Sequence, residues 1–455
     1  MLRSPKGVQL SVSFDRPLPV RFHDRWDRNG RYYAAVVEFV KRVQLTLKLR
    51  AKPDNAPAHL RLSADERRYK LQGFGGNYCF GIESPVTQYT LKNLQVAWAR
   101  TEMSLVRWTP ENDQPESRLR REFELMRQLN QMKIPYVTSV WQLPEPFYTD
   151  PGEEPHRQEK RKVAPEKWPE LVESIGSYLS YAKEHYGAEP DLFSFNEANI
   201  GIDVLLTPEE HRDAIKRIGA GLMKRGLKTR MLLADAAGPR GTHEYALPAA
   251  NDAEAMRYVG AVGFHSWGGG TAEQYRAWGD LAEWLNLPLL VTEMGVDADA
   301  HRGRRYDSYG YGMREVEMYQ ELLLYARPQA TIQWEFTGDY GTVTDDLQPT
   351  PRFWLVKHFS DLTPRNADAL ATGSDHPRVL FTAFVAGGVY AMHVANMGSE
   401  REVTIAGLPA GIGEVHGIVS CESSQFQQMD ALRAEGGVVK FRMAARSLVT
   451  LTGNW

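Results

Sequence analysis

The stretch "DLFSFNE", residues 191–197, decides the fold because it is one member of a series. Short apolar runs of this kind alternate with longer amphipathic stretches between about residues 70 and 360. Eight such runs follow one another: "LQGFGG" (71–76), "MSLVRW" (103–108), "IPYVTSVW" (134–141), "DLFSFNE" (191–197), "RMLLAD" (230–235), "AVGFHSW" (261–267), "PLLVTE" (288–293) and "TIQWEF" (331–336). Alternation of strand-like and helix-like segments indicates an α/β fold with a parallel sheet.

Eight repeated units over this length predict a closed (β/α)8 TIM barrel, with a doubly wound open sheet as the alternative. One of the amphipathic stretches, residues 117–133, shows the spacing clearly. Its apolar side chains recur every three or four residues, so they are expected in the core: Leu119, Phe123, Met126 and Leu129.

Both chain ends have a different pattern. Residues 8–14 and 43–50 alternate apolar with polar side chains, which is typical of half-buried strands. The C-terminal residues form short strand-like runs separated by Gly, Asn and Ser, which is typical of an all-β sandwich. We therefore predict N-terminal strands in 1–68 that join the sandwich, the barrel in 69–362, and a C-terminal β-sandwich domain in 363–455.

Composition narrows the class of protein. The chain has 455 residues, 42% hydrophobic and 24% charged, and a net charge of −3, so no broad positive surface for a nucleic-acid partner is expected. Cys79 and Cys421 lie far apart, which predicts neither a zinc site nor a disulfide framework. The absence of long apolar runs predicts no membrane partner. We expect a cytoplasmic protein, or a secreted or periplasmic one if a signal was trimmed; the oligomeric state stays open.

The ends of the eight runs supply the candidate site, because active sites of such barrels lie at the C-terminal ends of the strands. The polar and aromatic residues found there are Asn77, Arg107, Trp141, Asn196, Glu197, Asp235, His265, Trp267, Glu293 and Trp334. Glu197 ends the fourth run and Glu293 the seventh, so the two carboxylates can face each other across a substrate. Cleavage of a glycosidic bond needs such a pair: one carboxylic acid protonates the leaving oxygen, and the other carboxylate attacks or activates water.

Each of these residues also has a structural interpretation. Arg107 can keep a carboxylate ionised or form an ordinary salt bridge. Asn196 suits a sugar hydroxyl or a turn, and His265 alone is more often a buried, hydrogen-bonded histidine. Asp235 can bind hydroxyls or cap a helix, and Trp334 can lie under a sugar ring or in the core. Their joint occurrence at strand ends favours the functional interpretation.

These motifs resemble the clan A glycoside hydrolases, and most of all glycoside hydrolase family 30. "GFGGN" (73–77) resembles that family's first strand, and "SVWQLPEPF" (139–147) resembles its Trp-rich third strand. "FWLVKHFSDLTPRN" (353–366) resembles the segment by which its chain leaves the barrel for a side β-sandwich. One departure concerns the residue after the acid/base, where the family usually has proline and this chain has Ala198.

The resemblance implies a retaining β-glycosidase that acts on an oligo- or polysaccharide or a glycoconjugate, without cofactor or metal. Glu197 would be the acid/base and Glu293 the nucleophile, and Asn196 would contact the sugar 2-hydroxyl. The first sugar subsite would be lined by Arg107, Trp141, His265 and Trp334, with Asn77, Asp235 and Trp267 as further substrate-binding residues.

Two alternatives stay open on the sequence. A non-catalytic carbohydrate-binding protein would keep Trp141 and Trp334 without needing both glutamates. A metal-dependent hydrolase would require a His-x-His or clustered carboxylates on early strands, which the first run lacks. The loop 294–312 holds three Arg, three Asp and three Tyr. It could bind a charged sugar such as a uronic acid, but a solvated loop is the favoured interpretation.

Overall fold

The computed structural model describes residues 2–3, 9–27, 30–40, 42–50, 53–80, 82–150 and 160–454. The chain divides into two compact units, Met1–Asn55 and Ala56–Trp455. Within the first unit, β1 (Leu2–Arg3), β2 (Gln9–Phe14) and β5 (Leu45–Arg50) form an antiparallel sheet, while β3 (Val20–Asp27) and β4 (Gly30–Val37) form a hairpin. Val8, the first residue of the predicted strand at 8–14, lies outside the described residues.

The strands of the predicted N-terminal range enter separate sheets. Strands β1, β2 and β5 pair with one another, and β3 pairs with β4. Strand β6 (Ala58–Leu71), which begins within the predicted range 1–68, joins the large sheet of the second unit, so residues from both parts of the chain build that sheet. Alternating hydrophobicity predicts that a segment forms a strand with one apolar face, but it does not specify which sheet the strand joins.

The second unit contains a closed barrel of eight parallel strands, which confirms the predicted (β/α)8 fold. The strands are β7 (Gly73–Tyr78), β8 (Ala99–Glu102), β9 (Tyr136–Val140), β10 (Leu192–Phe195), β11 (Arg230–Ala236), β12 (Val259–His265), β13 (Leu289–Met294) and β14 (Ala330–Gln333). Every neighbouring pair is parallel, and β14 closes the barrel on β7.

The helices are α1 (Val86–Asn93), α2 (Arg118–Gln131), α3 (Trp168–Tyr186), α4 (Pro208–Lys224), α5 (Leu247–Ala250), α6 (Ala253–Met256), α7 (Ala272–Leu285), α8 (Tyr309–Glu321) and α9 (Pro351–Leu362). Local sequence explains several boundaries. Thr207 and Thr271 each form a capping box at the start of α4 and α7, and Gly187 ends α3 in a left-handed conformation. The four predicted core positions of α2 are buried.

The second strand lies elsewhere than predicted. The apolar run 103–108 does not form it; β8 occupies residues 99–102, and Leu105–Arg107 form a short 3-10 turn. The apolar character of the run has another cause, because Leu105 is buried and Trp108 packs edge-on against Phe123 of α2 and Tyr178 of α3.

The C-terminal part of the chain forms a mixed sheet beside the barrel. Its strands are β15 (Ala367–Ser374), β16 (Val379–Ala386), β17 (Val389–Asn396), β18 (Arg401–Ala406), β19 (Glu414–Cys421), β20 (Ser424–Gln428), β21 (Leu432–Arg433), β22 (Val438–Met443) and β23 (Ser447–Asn454). Strand β6 lies between β15 and β18, antiparallel to the first and parallel to the second. The sheet has a core of its own that includes Leu60, Val394 and Leu451.

Apolar side chains fill the barrel interior on the N-terminal side of the candidate site. Trp98, Val137, Leu192, Leu232, Leu290 and Ile332 belong to one buried cluster contributed by strands β9, β10, β11, β13 and β14 and by the residue before β8. Residues two positions further along a strand point the same way. Among the described residues, no helix is both long and apolar enough to cross a membrane.

Candidate active site

The candidate site lies at the C-terminal ends of the barrel strands. Arg100 and Thr292 lie two residues after the buried Trp98 and Leu290, so strand periodicity points their side chains into the barrel, nearer its C-terminal mouth. Of the predicted residues, the structure brings these together: Asn77, Trp141, Asn196, Glu197, Asp235, His265, Trp267, Glu293 and Trp334.

Glu293 lies on β13 and is held by three side chains. The Nη1 atom of Arg100 donates to Oε1 at 2.6 Å, and Nε1 of Trp267 donates to Oε2 at 2.9 Å. Nδ1 of His265 lies 3.1 Å from the same Oε2. Two cationic groups and an indole N–H therefore surround one buried carboxylate.

Arg100 is the arginine of the site, and Arg107 is not. The structure places Arg107 on the 3-10 turn after β8 with an exposed side chain, which corrects its predicted place in the first sugar subsite. Arg100 is fully buried. Its Nη2 donates to Asn196 Oδ1 at 2.7 Å and to Asp235 Oδ2 at 3.0 Å. Its guanidinium carbon also lies 4.7 Å from the centre of the Trp141 ring.

Glu197 follows β10 in the left-handed region, with φ of 44°. Its backbone N–H donates to the carbonyl of Asp235 at 3.2 Å. Its Oε1 lies 2.8 Å from Nδ1 of His265. One atom from each of Glu197, His265 and Glu293 can be chosen so that all three lie within 4.8 Å of one another. The two carboxylates thus face each other with His265 between them.

Asp235 and His265 form the buried floor of the site. Both are fully buried, and His265 Nε2 lies 3.1 Å from Asp235 Oδ1. Ser194 donates to Oδ2 of Asp235 at 2.7 Å, and the Thr292 hydroxyl donates to Oδ1. Burial alone would lower the pKa of His265, but the charges of Glu293 and Asp235 outweigh it and raise that pKa well above its usual range. These charges favour the protonated imidazolium form of His265.

The two facing glutamates have opposite pKa shifts. Burial raises the pKa of Glu197, and the negative charge of Glu293 adds to the rise, against the opposing effect of His265. Burial would also raise the pKa of Glu293, but His265 and Arg100 outweigh it and lower the pKa below its ordinary value. Glu293 is therefore the ionised member of the pair, and Glu197 is the member that keeps its proton to higher pH.

Glu197, His265 and Glu293 are also close enough together to ligate a metal ion. In the structure these groups pair with one another: Nδ1 of His265 faces the carboxylates of Glu197 and Glu293, and Nε2 faces that of Asp235. Arg100 further balances the charge of Glu293.

Aromatic rings form one wall of the site. Trp334 follows β14, and its ring centre lies 6.1 Å from that of Trp141 and 6.4 Å from that of Trp267. Phe80, which the sequence analysis did not identify, packs edge-on to Trp334 at 5.8 Å. The backbone N–H of Phe80 donates to Oε2 of the buried Glu335 at 3.3 Å. Burial and the neighbouring Asp339 carboxylate raise the pKa of Glu335 well above its usual range.

A buried ion pair supports the Trp334 wall from behind. Arg352 of α9 donates to both carboxylate oxygens of Glu315 at 2.8 Å each. It also donates to the carbonyl of Trp334 at 3.3 Å and to that of Tyr340 at 2.6 Å. Gln333 donates to Glu315 at 2.9 Å as well. The backbone at the end of β14 is therefore tied to α8 and α9.

The charged residues of the loop 294–312 pair mainly with one another. Arg302 lies 3.4 Å from Asp299, Arg304 lies 2.8 Å from Asp307, and Arg305 lies 3.3 Å from Asp297. These arginine side chains are mostly exposed, as in a solvated loop. In the other long loop, 142–167, residues 151–159 lie outside the described part of the chain.

Solved structures share this fold. No protein-family model matches the sequence, and no curated protein does. A GH30 endoxylanase from Clostridium papyrosolvens superposes with a TM-score of 0.73 and 16% identity, covering 87% of this chain and 100% of that one. SrfJ from Salmonella typhimurium superposes with a TM-score of 0.65 and 15% identity, covering 93% of this chain and 96% of that one. An endo-β1,6-glucanase superposes with a TM-score of 0.63 and 14% identity, covering 90% of this chain and 97% of that one. The predicted resemblance to family 30 is thus confirmed for the fold.

Proposed function

We propose that the protein is a retaining β-glycosidase in which Glu293 is the nucleophile and Glu197 the acid/base. The observation that carries the proposal is the facing pair of carboxylates, with oxygens within 4.8 Å and opposite pKa shifts. Retaining glycosidases place their carboxyl groups about 5–5.5 Å apart, whereas inverting ones need roughly 6.5–9.5 Å to admit a water molecule. One oxygen of each carboxylate lies within 4.8 Å of an oxygen of the other, which is on the retaining side of these ranges and supports double displacement.

In the first step, the ionised Glu293 attacks the anomeric carbon while the bond to the leaving oxygen breaks. Arg100 and His265 keep Glu293 ionised before the attack. Glu197 gives its proton to the leaving oxygen, so the aglycone departs as a neutral alcohol and a glycosyl ester of Glu293 remains.

In the second step, Glu197 acts as a base toward water. The glycosyl ester has removed the charge of Glu293, which was one cause of the raised pKa of Glu197. That pKa therefore falls in the intermediate, and the carboxylate accepts a proton from the attacking water. The new C–O bond releases the sugar and restores Glu293 as a carboxylate.

The surrounding side chains suit a sugar ring in the first subsite. The Trp334 ring offers a flat apolar face, with Trp141 and Trp267 beside it. Because Arg100 donates to Oδ1 of Asn196, the amide presents Nδ2 as a donor, which suits the 2-hydroxyl. The relatives of similar fold are described as a xylanase and a glucanase, which favours a β-linked oligo- or polysaccharide or a glycoconjugate as the substrate class.

The test is a panel of aryl β-glycosides followed by proton NMR of the first sugar released. The panel includes xyloside, glucoside, galactoside and fucoside. We expect turnover with at least one, insensitive to a chelator, and the β-anomer as the first product. The α-anomer as first product would contradict the retaining mechanism. Calorimetric sugar binding without turnover on any substrate would instead support the carbohydrate-binding alternative.

A further inference from the structure

The residues that follow Glu197 form a turn, 197–205, which we call the acid/base turn. The carbonyl of Glu197 accepts from the N–H groups of Ile200 and Gly201, each at 3.0 Å. The left-handed φ of 44° at Glu197 is unfavourable for a residue with a Cβ atom, and such a conformation persists only where neighbouring structure holds it. The acid/base turn therefore needs external support.

A neighbouring segment, residues 160–164, gives that support through its backbone. Lys160 N–H donates to the carbonyl of Gly201 at 2.7 Å, and Arg161 N–H donates to that of Asp203 at 2.9 Å. Leu205 N–H donates back to the carbonyl of Arg161 at 2.8 Å. Three backbone hydrogen bonds thus tie the far end of the acid/base turn to this segment, and two of them involve Arg161.

The side chain of Arg161 anchors the same segment to the loop after β9. The guanidinium is buried and donates to both oxygens of Glu145, at 2.9 Å each. It lies 3.6 Å from the centre of the Tyr148 ring and donates to the carbonyl of Asp150 at 2.8 Å. The Tyr148 hydroxyl accepts from the N–H of Leu143 at 2.9 Å. A bidentate pair on an aromatic face is a rigid arrangement that lysine cannot reproduce.

We propose that Arg161 is a positioning residue for the acid/base, acting on Glu197 through the acid/base turn. The inference rests on the proposed function. The backbone of Arg161 bonds to the acid/base turn, and its side chain bonds to the loop after β9, so this residue links the two. Glu293 has its own contacts from Arg100, His265 and Trp267, so loosening the turn displaces the acid and leaves the nucleophile in place.

This arrangement gives Arg161 a kinetic signature that overall destabilisation would not produce. A misplaced acid slows the reaction only where the leaving group needs a proton. Aryl glycosides with very acidic phenols leave without protonation, whereas those with weakly acidic phenols depend on it. The loss of rate should therefore grow as the leaving group becomes poorer.

The experiment compares Arg161→Met with wild type on one glycone carrying a series of phenols, from dinitrophenol to unsubstituted phenol. We expect kcat/KM for the dinitrophenyl glycoside to change by less than about threefold, and that for the phenyl glycoside to fall roughly 10- to 100-fold, since positioned acids contribute about 10²–10⁴ in rate. Glu145→Gln weakens the same bidentate pair, so its loss of kcat/KM should also grow as the leaving group becomes poorer. Arg161→Lys keeps the buried charge and protects folding, so its losses should lie between those of wild type and Arg161→Met.

Arg217→Met is the matched control, because Arg217 of α4 also lies over an aromatic ring, at 5.3 Å from Trp168, and Trp168 belongs neither to the acid/base turn nor to the segment 160–164. It should leave the leaving-group dependence unchanged. An equal loss across all phenols in Arg161→Met and Arg161→Lys, or no loss at all, would overturn the positioning role. Failure of the wild type to hydrolyse any glycoside would instead overturn the proposed function itself.

Discussion

The two facing glutamates are held in different ways. Glu293 lies within strand β13 and contacts two cations and an indole N–H. Glu197 lies in a left-handed turn after its strand, and in the part of the chain that the structure describes, His265 is the one side chain that bonds to its carboxylate. A nucleophile must stay ionised and fixed, whereas an acid/base must gain and lose a proton in each cycle. The asymmetric surroundings fit that division of roles.

The largest expected effect is that of Glu293→Ala. Removing the nucleophile should lower kcat by on the order of 10⁵-fold, because residues that act as a unit lose nearly the whole chemical step when one is missing. The loss should be similar for good and poor leaving groups, since attack is needed for both. Steady-state assays on the aryl glycosides measure this, with the exposed Glu254→Ala as the control that keeps full activity. A modest, leaving-group-dependent loss would contradict the nucleophile role.

Glu197→Gln should have the next largest effect, and only on poor leaving groups. For a phenyl glycoside we expect a loss of about 10²–10⁴ in kcat/KM, the usual contribution of a positioned acid. Its pH dependence is equally diagnostic. Wild-type activity falls below the lowered pKa of Glu293, which becomes protonated, and above the raised pKa of Glu197, which loses its proton. The alkaline limb should disappear in Glu197→Gln; its persistence would assign that limb to another group.

Arg100→Met tests the electrostatic part of the comparison. Removing a cation that contacts the nucleophile should lower kcat/KM by about 10²–10³, as for loss of other preorganised charges. Arg100 lowers the pKa of Glu293, so its removal raises that pKa, and the acid limb of the pH profile should move to higher pH. Arg100→Lys, which keeps the charge in the buried site, should show a smaller shift.

Arg107→Met is the control for this experiment, because Arg107 is exposed on the turn after β8. It should match wild type in rate and pH profile. A large loss in Arg107→Met together with normal activity in Arg100→Met would mean that the arginine of the site is misassigned.

The smallest effect is expected for Trp267→Phe, which keeps an aromatic ring and removes the N–H that donates to Glu293 at 2.9 Å. One hydrogen bond to a charged group contributes about 1.5–3 kcal/mol, so we expect kcat/KM to fall roughly 10- to 100-fold, with the acid limb shifted slightly upward. Because Arg100 and His265 remain, the loss should stay below that of Arg100→Met. A loss equal to that of Glu293→Ala would show that the ring has another role.

Much of this arrangement could be predicted from sequence because strand ends follow from periodicity. Glu197, His265 and Glu293 end apolar runs, so placing the runs in a barrel placed these residues at its mouth. Arg100 could not be found this way, because β8 is short and polar ("ARTE"), and a more apolar run follows it. The one feature of the sequence that points to Arg100 is its position two residues after Trp98, on the same face of the strand. Phe80 and Glu335 lie just beyond strand ends, where the neighbours of a side chain depend on contacts between loops that are distant in the sequence.

The roles of the two glutamates are tested most directly by azide rescue of matched variants, with the product configuration read by NMR. In Glu293→Ala, azide replaces the nucleophile and attacks the substrate, so the account predicts an α-glycosyl azide from a β-aryl glycoside. In Glu197→Ala, azide attacks the glycosyl ester on Glu293, so the account predicts a β-glycosyl azide. The opposite assignment of the two products, or unimpaired hydrolysis in Glu293→Ala, would contradict it.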